Sequence, residues 1–204
     1  MGGLSNSNHW LLYETDLPII QISAIVCLHD NMCSNNDLVD LMEARYSVRS
    51  YSDKPVEDSK ISRILRAGQV APTAVNRRPQ RIFVLRSEEA LDKAKRTTRF
   101  TFGAPLILLV CSDLNKGVTT DDGQYLGTVD ASIAITQMML EAWALGIGSC
   151  WVRGFNRDTV SSVFELPKNL QPEGMLVLGY PSEDSKPSAM HSAMVPLDEM
   201  VTYL

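Results

Sequence analysis

The chain has 204 residues, 45% of them hydrophobic and 21% charged, which is enough to bury one sizeable core and shows no compositional break that would mark a second. A formal net charge of −5 argues against a protein whose main work is to bind nucleic-acid phosphates. The four cysteines (Cys27, Cys33, Cys111, Cys150) form no CxxC pair and the three histidines (His9, His29, His191) fall in no metal-ligand spacing, so a reduced, cytoplasmic, metal-free protein is expected.

In chain order, residues 1–34 read as an N-terminal extension to a single domain at 35–204. Residues 17–28 are apolar but too short to cross a bilayer, and Glu14 and Asp16 precede them instead of a basic leader. No membrane association is expected. Met32, just before the domain, is a candidate start of translation; a strand or tail packed on the body is the competing reading.

Ser34 with Asp37 resembles a capping box, and Leu38, Leu41 and Met42 then recur at helical spacing, which predicts a helix over 36–45. A second helix is predicted over 57–71, with Ile61, Ile64, Leu65 and Gly68 on one face and Pro72 ending it. A strand at 81–85, a helix at 88–96 and a buried strand at 105–112 follow, and then a polar, turn-rich loop at 113–123. Residues 125–145 carry only Asp130 and Glu141 as charges, which predicts a central helix buried on most sides. Those two carboxylates and the lack of basic flanks argue against a membrane span. Strands at 149–152 and 175–179 enclose a helix at 158–164. Helices and strands interleave without strict alternation, so the fold class is α+β.

The stretch ARYSVRSYS, residues 44–52, places Arg45, Ser47 and Arg49 two apart, so an extended backbone sets all three on one side. Two guanidiniums and a hydroxyl make a cradle for a phosphate, and charge-assisted bonds contribute about 1.5–3 kcal/mol each. A solvated basic face beside a turn satisfies the same pattern.

This stretch resembles the opening motif of the FMN-dependent nitroreductase family, R-x-S-x-[RK]-x-[FY]. Three later segments are similar to that family in the right order: APTAVNRRPQRIFVL to its P-S-x-x-N-x-Q-P-W loop and strand, ALGIGSCWVRGF to its A-L-G-L-G-[ST]-x-W loop, and LVLGYPSEDSKP to its closing G-Y-P turn. The likeness covers roughly residues 36–187. It implies a mixed central β-sheet flanked by helices, in a single domain forming an intertwined homodimer that buries the central helix and builds both flavin sites.

The resemblance also implies roles for residues. Arg45 and Ser47 would hold the phosphate and ribityl chain of FMN, and Arg49 would lie at the pyrimidine edge, where reduction deposits negative charge. Asn76 would shape the cofactor pocket; capping a turn after Pro72 is the alternative. Trp151, Arg153 and Gly154 fall in the loop whose backbone amides face the reactive ring nitrogen, where rigid donors are favourable. A core aromatic is the alternative for Trp151. No side chain is assigned as a catalytic nucleophile, and no metal is implied.

Two departures stand out. Arg78 and Gln80 flank Pro79 where the family shows glutamine and tryptophan, and near the C-terminus only Lys186 and His191 are left to supply basic phosphate contacts. The implied activity is transfer of a hydride from NADH or NADPH to FMN and on to a nitro compound, quinone or similar small electrophile, by a ping-pong mechanism. Acceptor specificity is expected to reside in the loop at 113–123 with Phe100 and Phe102. A flavin-binding or redox-sensing module without efficient turnover is the alternative function.

Overall fold

The computed structural model describes residues 35–204, so the reading of residues 1–34 as an extension lies outside the described residues. Six helices and four strands follow in chain order: α1 (Asn35–Ala44), α2 (Asp58–Gln69), β1 (Gln80–Leu85), α3 (Glu88–Thr97), β2 (Leu106–Asp113), α4 (Gly127–Ala144), β3 (Gly148–Val152), α5 (Arg157–Val163), β4 (Leu170–Gly179) and α6 (Leu197–Met200).

Local chemistry accounts for several boundaries. Ser87 caps α3 by accepting from Ala90 N, with Glu88 and Glu89 in the first turn and Lys95 and Arg96 in the last, so charges complement both ends of the helix dipole. Asn156 caps α5 by accepting from Thr159 N. Gly146, at φ 73°, lets the chain leave α4 and enter β3.

The strands form one sheet in the order β1-β2-β4-β3. All three ladders are antiparallel, running from Gln80↔Ser112 to Leu85↔Ile107, from Leu106↔Leu178 to Asp113↔Leu170, and from Gly148↔Gly179 to Val152↔Met175. The parallel component of the expected mixed sheet is a single bridge, Ser47↔Ser149, which lays the opening segment along the outer edge of β3.

β2 and β4 occupy the middle, and all eight residues of β2 are buried because both faces of the sheet are covered. Leu106, Leu108, Val110, Leu176 and Leu178 pack on one face with Ile61 and Ile64 of α2 and Ala131, Ile135, Met138 and Ala142 of α4. Ile107, Leu109, Cys111, Met175 and Val177 pack on the other with Ala94 of α3, Val160 of α5, and Cys150 and Val152 of β3. A Cβ at Gly68 would stand 2.8 Å from Met138 Sδ, so glycine permits the close approach of α2 and α4.

Three expectations change in detail. β4 begins at Leu170, not 175, because Pro172 sits at the irregularity opposite Val110 and Cys111, where a missing donor is tolerated. The loop at 113–123 runs into a short hairpin, closed by Leu126 N donating to Val118 O at 2.9 Å and Thr120 N donating to Gln124 O at 2.9 Å. Among the described residues α4 is buried along one stripe: Val129 is 47% exposed, and Ile133 and Leu140 on the same outer side are half-buried.

Candidate active site

After α1 the chain turns extended and alternates. Val48 points inward and is fully buried, and its N–H donates to Ser149 O at 2.9 Å; a Cβ at Gly148 would come within 2.7 Å of its Cγ2. Tyr51 donates its hydroxyl to Val48 O at 2.7 Å, and burial holds that hydroxyl well above the usual tyrosine range. Tyr46 meets Trp143 of α4 edge-on at 5.3 Å.

These anchors bring Arg45, Ser47 and Arg49 near Cys150. All three lie close enough to Cys150 to favour its thiolate, yet burial outweighs them and pushes the thiol up. Arg49 Nη1 donates to Ser47 O at 3.3 Å, which folds its guanidinium back along the ribbon.

Beside the bridge, Ser149 is 1% exposed and its Oγ has no hydrogen-bond partner. Because Ser149 O accepts from Val48 on the outer edge, the alternation of an antiparallel ladder turns the backbone groups of Trp151 outward as well. Outward polar groups on a free edge invite a ligand. Two guanidiniums, a hydroxyl and a buried hydroxyl without a partner among the described residues, beside outward backbone groups, fit a phosphate-bearing planar cofactor such as FMN.

The Trp151 side chain is 40% exposed and lies across Gly174, where a Cβ would sit 2.5 Å from its Nε1 and 2.8 Å from Ile135 Cδ1. It forms a wall, half in the core and half in solvent. Gly154 admits Phe100, whose Cε2 would be 2.6 Å from a Cβ there, and Gly154 O accepts from Thr98 Oγ1 at 2.8 Å. Phe100 in turn lies 6.1 Å from Phe102.

Arg153 is held from below by a group that sequence reasoning missed. Glu173 is 2% exposed and gathers five partners: Ser112 Oγ at 2.6 Å and Gln171 Nε2 at 2.8 Å on Oε1, and Arg157 Nη2 at 2.7 Å, Thr128 Oγ1 at 3.1 Å and Arg153 Nη2 at 3.9 Å on Oε2. Only Gln171 is near it in sequence; Ser112, Thr128, Arg153 and Arg157 come from other elements, so no local signal marked Glu173.

Asn76 lies elsewhere. It ends a short 3-10 turn, Ala74–Asn76, and its Oδ1 accepts from Arg78 Nε at 2.9 Å. Ala74 N donates to Asp130 Oδ1 at 2.8 Å at the start of α4, whereas Tyr46 meets Trp143 near its end. Thirteen residues of helix separate those anchors, about 20 Å. One chain therefore brings Arg45, Ser47 and Arg49 close to Cys150 of β3, the strand that runs on into Arg153 and Gly154, and leaves Asn76 apart. Arg78 and Gln80 border a different cavity of about 330 Å³ with Arg81, Leu65 and Ile82.

The two basic candidates near the C-terminus both come close to the opening segment. The Tyr46 hydroxyl is 3.2 Å from Ser185 Oγ, next to Lys186, and the His191 ring is 6.2 Å from the Tyr46 ring. The hairpin after β2 is fastened at its base: Tyr125 donates its hydroxyl to Asp113 O at 3.1 Å, and a hydrogen bond from Asn169 holds the Asp113 carboxyl below the usual carboxylate range. Among the described residues no cluster of three or more His, Cys, Asp or Glu suits a metal ion, and no helix is long and apolar enough to cross a membrane.

Comparison with known proteins agrees with this geometry. The nitroreductase family profile matches residues 42–99 and 92–180. A solved nitroreductase family protein from Clostridium difficile is 40% identical, with a TM-score of 0.76 over 81% of this chain and 96% of that one. A Methanothermobacter thermautotrophicus protein, provisionally named NADH dehydrogenase/NAD(P)H nitroreductase, is 30% identical over 76% of this chain and 83% of its own length. A solved FMN-dependent nitroreductase from a second Clostridium difficile strain is 26% identical, with a TM-score of 0.68 over 81% of this chain and 98% of that one. With a family match across the sheet, both of its helical faces and the edge that carries the basic ribbon, this chain belongs to the nitroreductase family.

Proposed function

We propose that the protein is an FMN-dependent oxidoreductase that accepts a hydride from NADH or NADPH and passes it, in a second half-reaction at the same site, to a small electrophile such as a nitro compound or quinone. The observation that carries this reading is the outer edge of β3: the segment of Arg45, Ser47 and Arg49 bridged to it, outward backbone groups at Trp151, and a buried hydroxyl at Ser149 without a partner among the described residues. Bound FMN supplies the hydride chemistry. Arg45 and Ser47 hold its phosphate and ribityl chain, and Arg49 sets positive charge where reduction places negative charge on the ring. Trp151 walls the ring, and backbone donors from Trp151 to Gly154 orient its reactive edge without exchanging protons of their own. Cys111 and Cys150 are both unpaired and buried, which suits a reducing cytoplasm.

The active unit in this reading is a homodimer. Among the described residues, little covers the outer stripe of α4 formed by Val129, Ile133 and Leu140, or Met190, Met194, Leu197 and Met200 of the C-terminal segment. A second copy covers both surfaces and brings its Asn76 to a site that one chain leaves without it.

The visible spectrum of the purified protein, before and after anaerobic NADH or NADPH, tests the reading. The expected result is a yellow band that bleaches, with FMN released on denaturation. A colourless protein that takes up no FMN overturns it, and a yellow protein that neither donor bleaches favours a binding or sensing module.

A further inference from the structure

Between the end of α3 and the loop after β3 lies a solvent-open groove of about 530 Å³, within the range of small-ligand sites. Lys95, Arg96, Arg99 and Phe100 line it from the α3 end, and Gly154, Phe155 and Asn156 from the loop after β3. Lys95 and Arg96 also complement the C-terminal end of the α3 dipole, which is their ordinary use. Arg99 lies beyond the helix and has no such reason to be there. Its guanidinium sits 4.8 Å above the Phe100 ring, and Phe100 is the side chain that packs on Gly154. The far wall is prepared in the same way, because the Arg153 guanidinium stands 5.4 Å from the Phe155 ring.

Lys95 is committed to Asp92 at 2.8 Å, and Arg153 is partly committed to Glu173 at 3.9 Å. Arg96 and Arg99 make no ion pair with any described residue. In a chain of net charge −5, two exposed arginines free of described carboxylates, in a groove also lined by the Phe100 and Phe155 rings, select a phosphate attached to an aromatic or sugar body.

We propose that this groove is the docking site for the phosphate-bearing limb of the nicotinamide dinucleotide donor, with Arg96 and Arg99 gripping its phosphate oxygens. The inference rests on the flavin reading, because that reading places the hydride acceptor at Gly154, one aromatic ring away from Arg99. The pyrophosphate and a 2′-phosphate present the same chemistry to a guanidinium fork, and separate ligands tell them apart.

The test compares the holoprotein with an Arg96→Gln/Arg99→Gln variant. Calorimetric titrations use adenosine, ADP and adenosine 2′,5′-bisphosphate. Binding of either phosphorylated ligand but not adenosine is expected, weakened at least tenfold in the variant and weakened by salt. A stronger response to ADP assigns the groove to the pyrophosphate, and a stronger response to the bisphosphate assigns it to a 2′-phosphate. In stopped-flow flavin reduction, the variant is expected to need at least tenfold more NADH or NADPH for half-maximal rate, while 1-benzyl-1,4-dihydronicotinamide, a hydride donor without phosphate, reduces both proteins alike. Equal losses with all donors, or unchanged titrations, overturn the groove assignment. A protein that no donor bleaches overturns the flavin reading, and the titrations still decide the groove.

Discussion

The edge of β3 and the loop at residues 73–78 carry two motifs that resemble the same family, yet they are built on opposite principles. At the β3 edge the backbone is relaxed and extended, and the work is done by neighbours: Val48 buried below, Tyr51 bonded behind, Glu173 gathering side chains beneath Arg153. The loop at 73–78 has almost no packing. Val75, Asn76 and Arg78 all take left-handed backbone angles, at φ 49°, 53° and 48°, and Val75 is 80% exposed. A few hydrogen bonds hold it, from Ala74 N to Asp130 and from Arg78 N to Thr73 Oγ1. One region is a platform, and the other is a strained arm presented outward.

The largest effect expected from breaking this contrast is at Glu173. In Glu173→Ala the Arg157 guanidinium and the buried Ser112 hydroxyl lose their acceptor, which costs about 3–5 kcal/mol, or about 10 °C in Tm for a chain of this size. Asn76→Ala, on the arm, is expected to cost only about 1 kcal/mol, or about 2–4 °C in Tm, because Asn76 is exposed and the loss is that of an asparagine's ease at φ 53° and not of packing. Thermal melts of both variants check the pair. Comparable losses would mean that the arm, too, is part of the structural support.

Next in size is FMN retention. If Arg45 holds the phosphate as proposed, Arg45→Ala is expected to weaken FMN binding about tenfold to a hundredfold. Arg49→Ala is expected to keep FMN and shift its reduction potential negative, since the charge that favours the reduced ring is lost. Flavin content after dialysis and a spectroelectrochemical titration separate the two. The assignments fail if both variants match wild type in both measurements.

A hybrid experiment sharpens the separation of the two regions. If Asn76 serves the partner's site, Arg45→Ala and Asn76→Ala lie in different subunits of one site. Refolding an equal mixture then rebuilds an intact site in each hybrid dimer, and about a quarter of all sites recover, because half the dimers are hybrids with one good site each. No recovery above the mean of the two parents would place both residues in the site of a single chain.

How much of this was legible in the sequence follows the same division. The platform's strands and helices announced themselves through apolar runs and caps, and the two-residue spacing singled out Arg45, Ser47 and Arg49, which the fold brings near Cys150. The start of β4 was hidden because Pro172, Glu173 and Gly174 all disfavour strand locally, and only pairing with β2 overrides them. Glu173 could not be recognised as a hub, since Ser112 and Thr128 reach it from β2 and α4. The distance between Asn76 and Arg45 was equally hidden, because a linear motif order says nothing about which end of α4 each motif meets. The incomplete cover of α4 among the described residues is the structural counterpart of its charge-poor sequence: the helix carries more apolar surface than the sheet and α2 cover.

The smallest expected effect is the most local test of the arm. A β-branched residue with positive φ is disfavoured, since Cβ crowds the following carbonyl at a cost of about 1–2 kcal/mol, whereas asparagine enters that region readily. Val75 is exposed and gives up no core packing on replacement. Val75→Asn is therefore expected to raise stability by about 1 kcal/mol, seen as about 2–4 °C in Tm. If the valine is instead kept for contact with a second copy, the same variant melts higher only at low protein concentration, where chains are dissociated, and loses that gain as dimers form. Melting curves across a hundredfold concentration range distinguish a loop strained for its own geometry from one whose exposed valine is an interface contact.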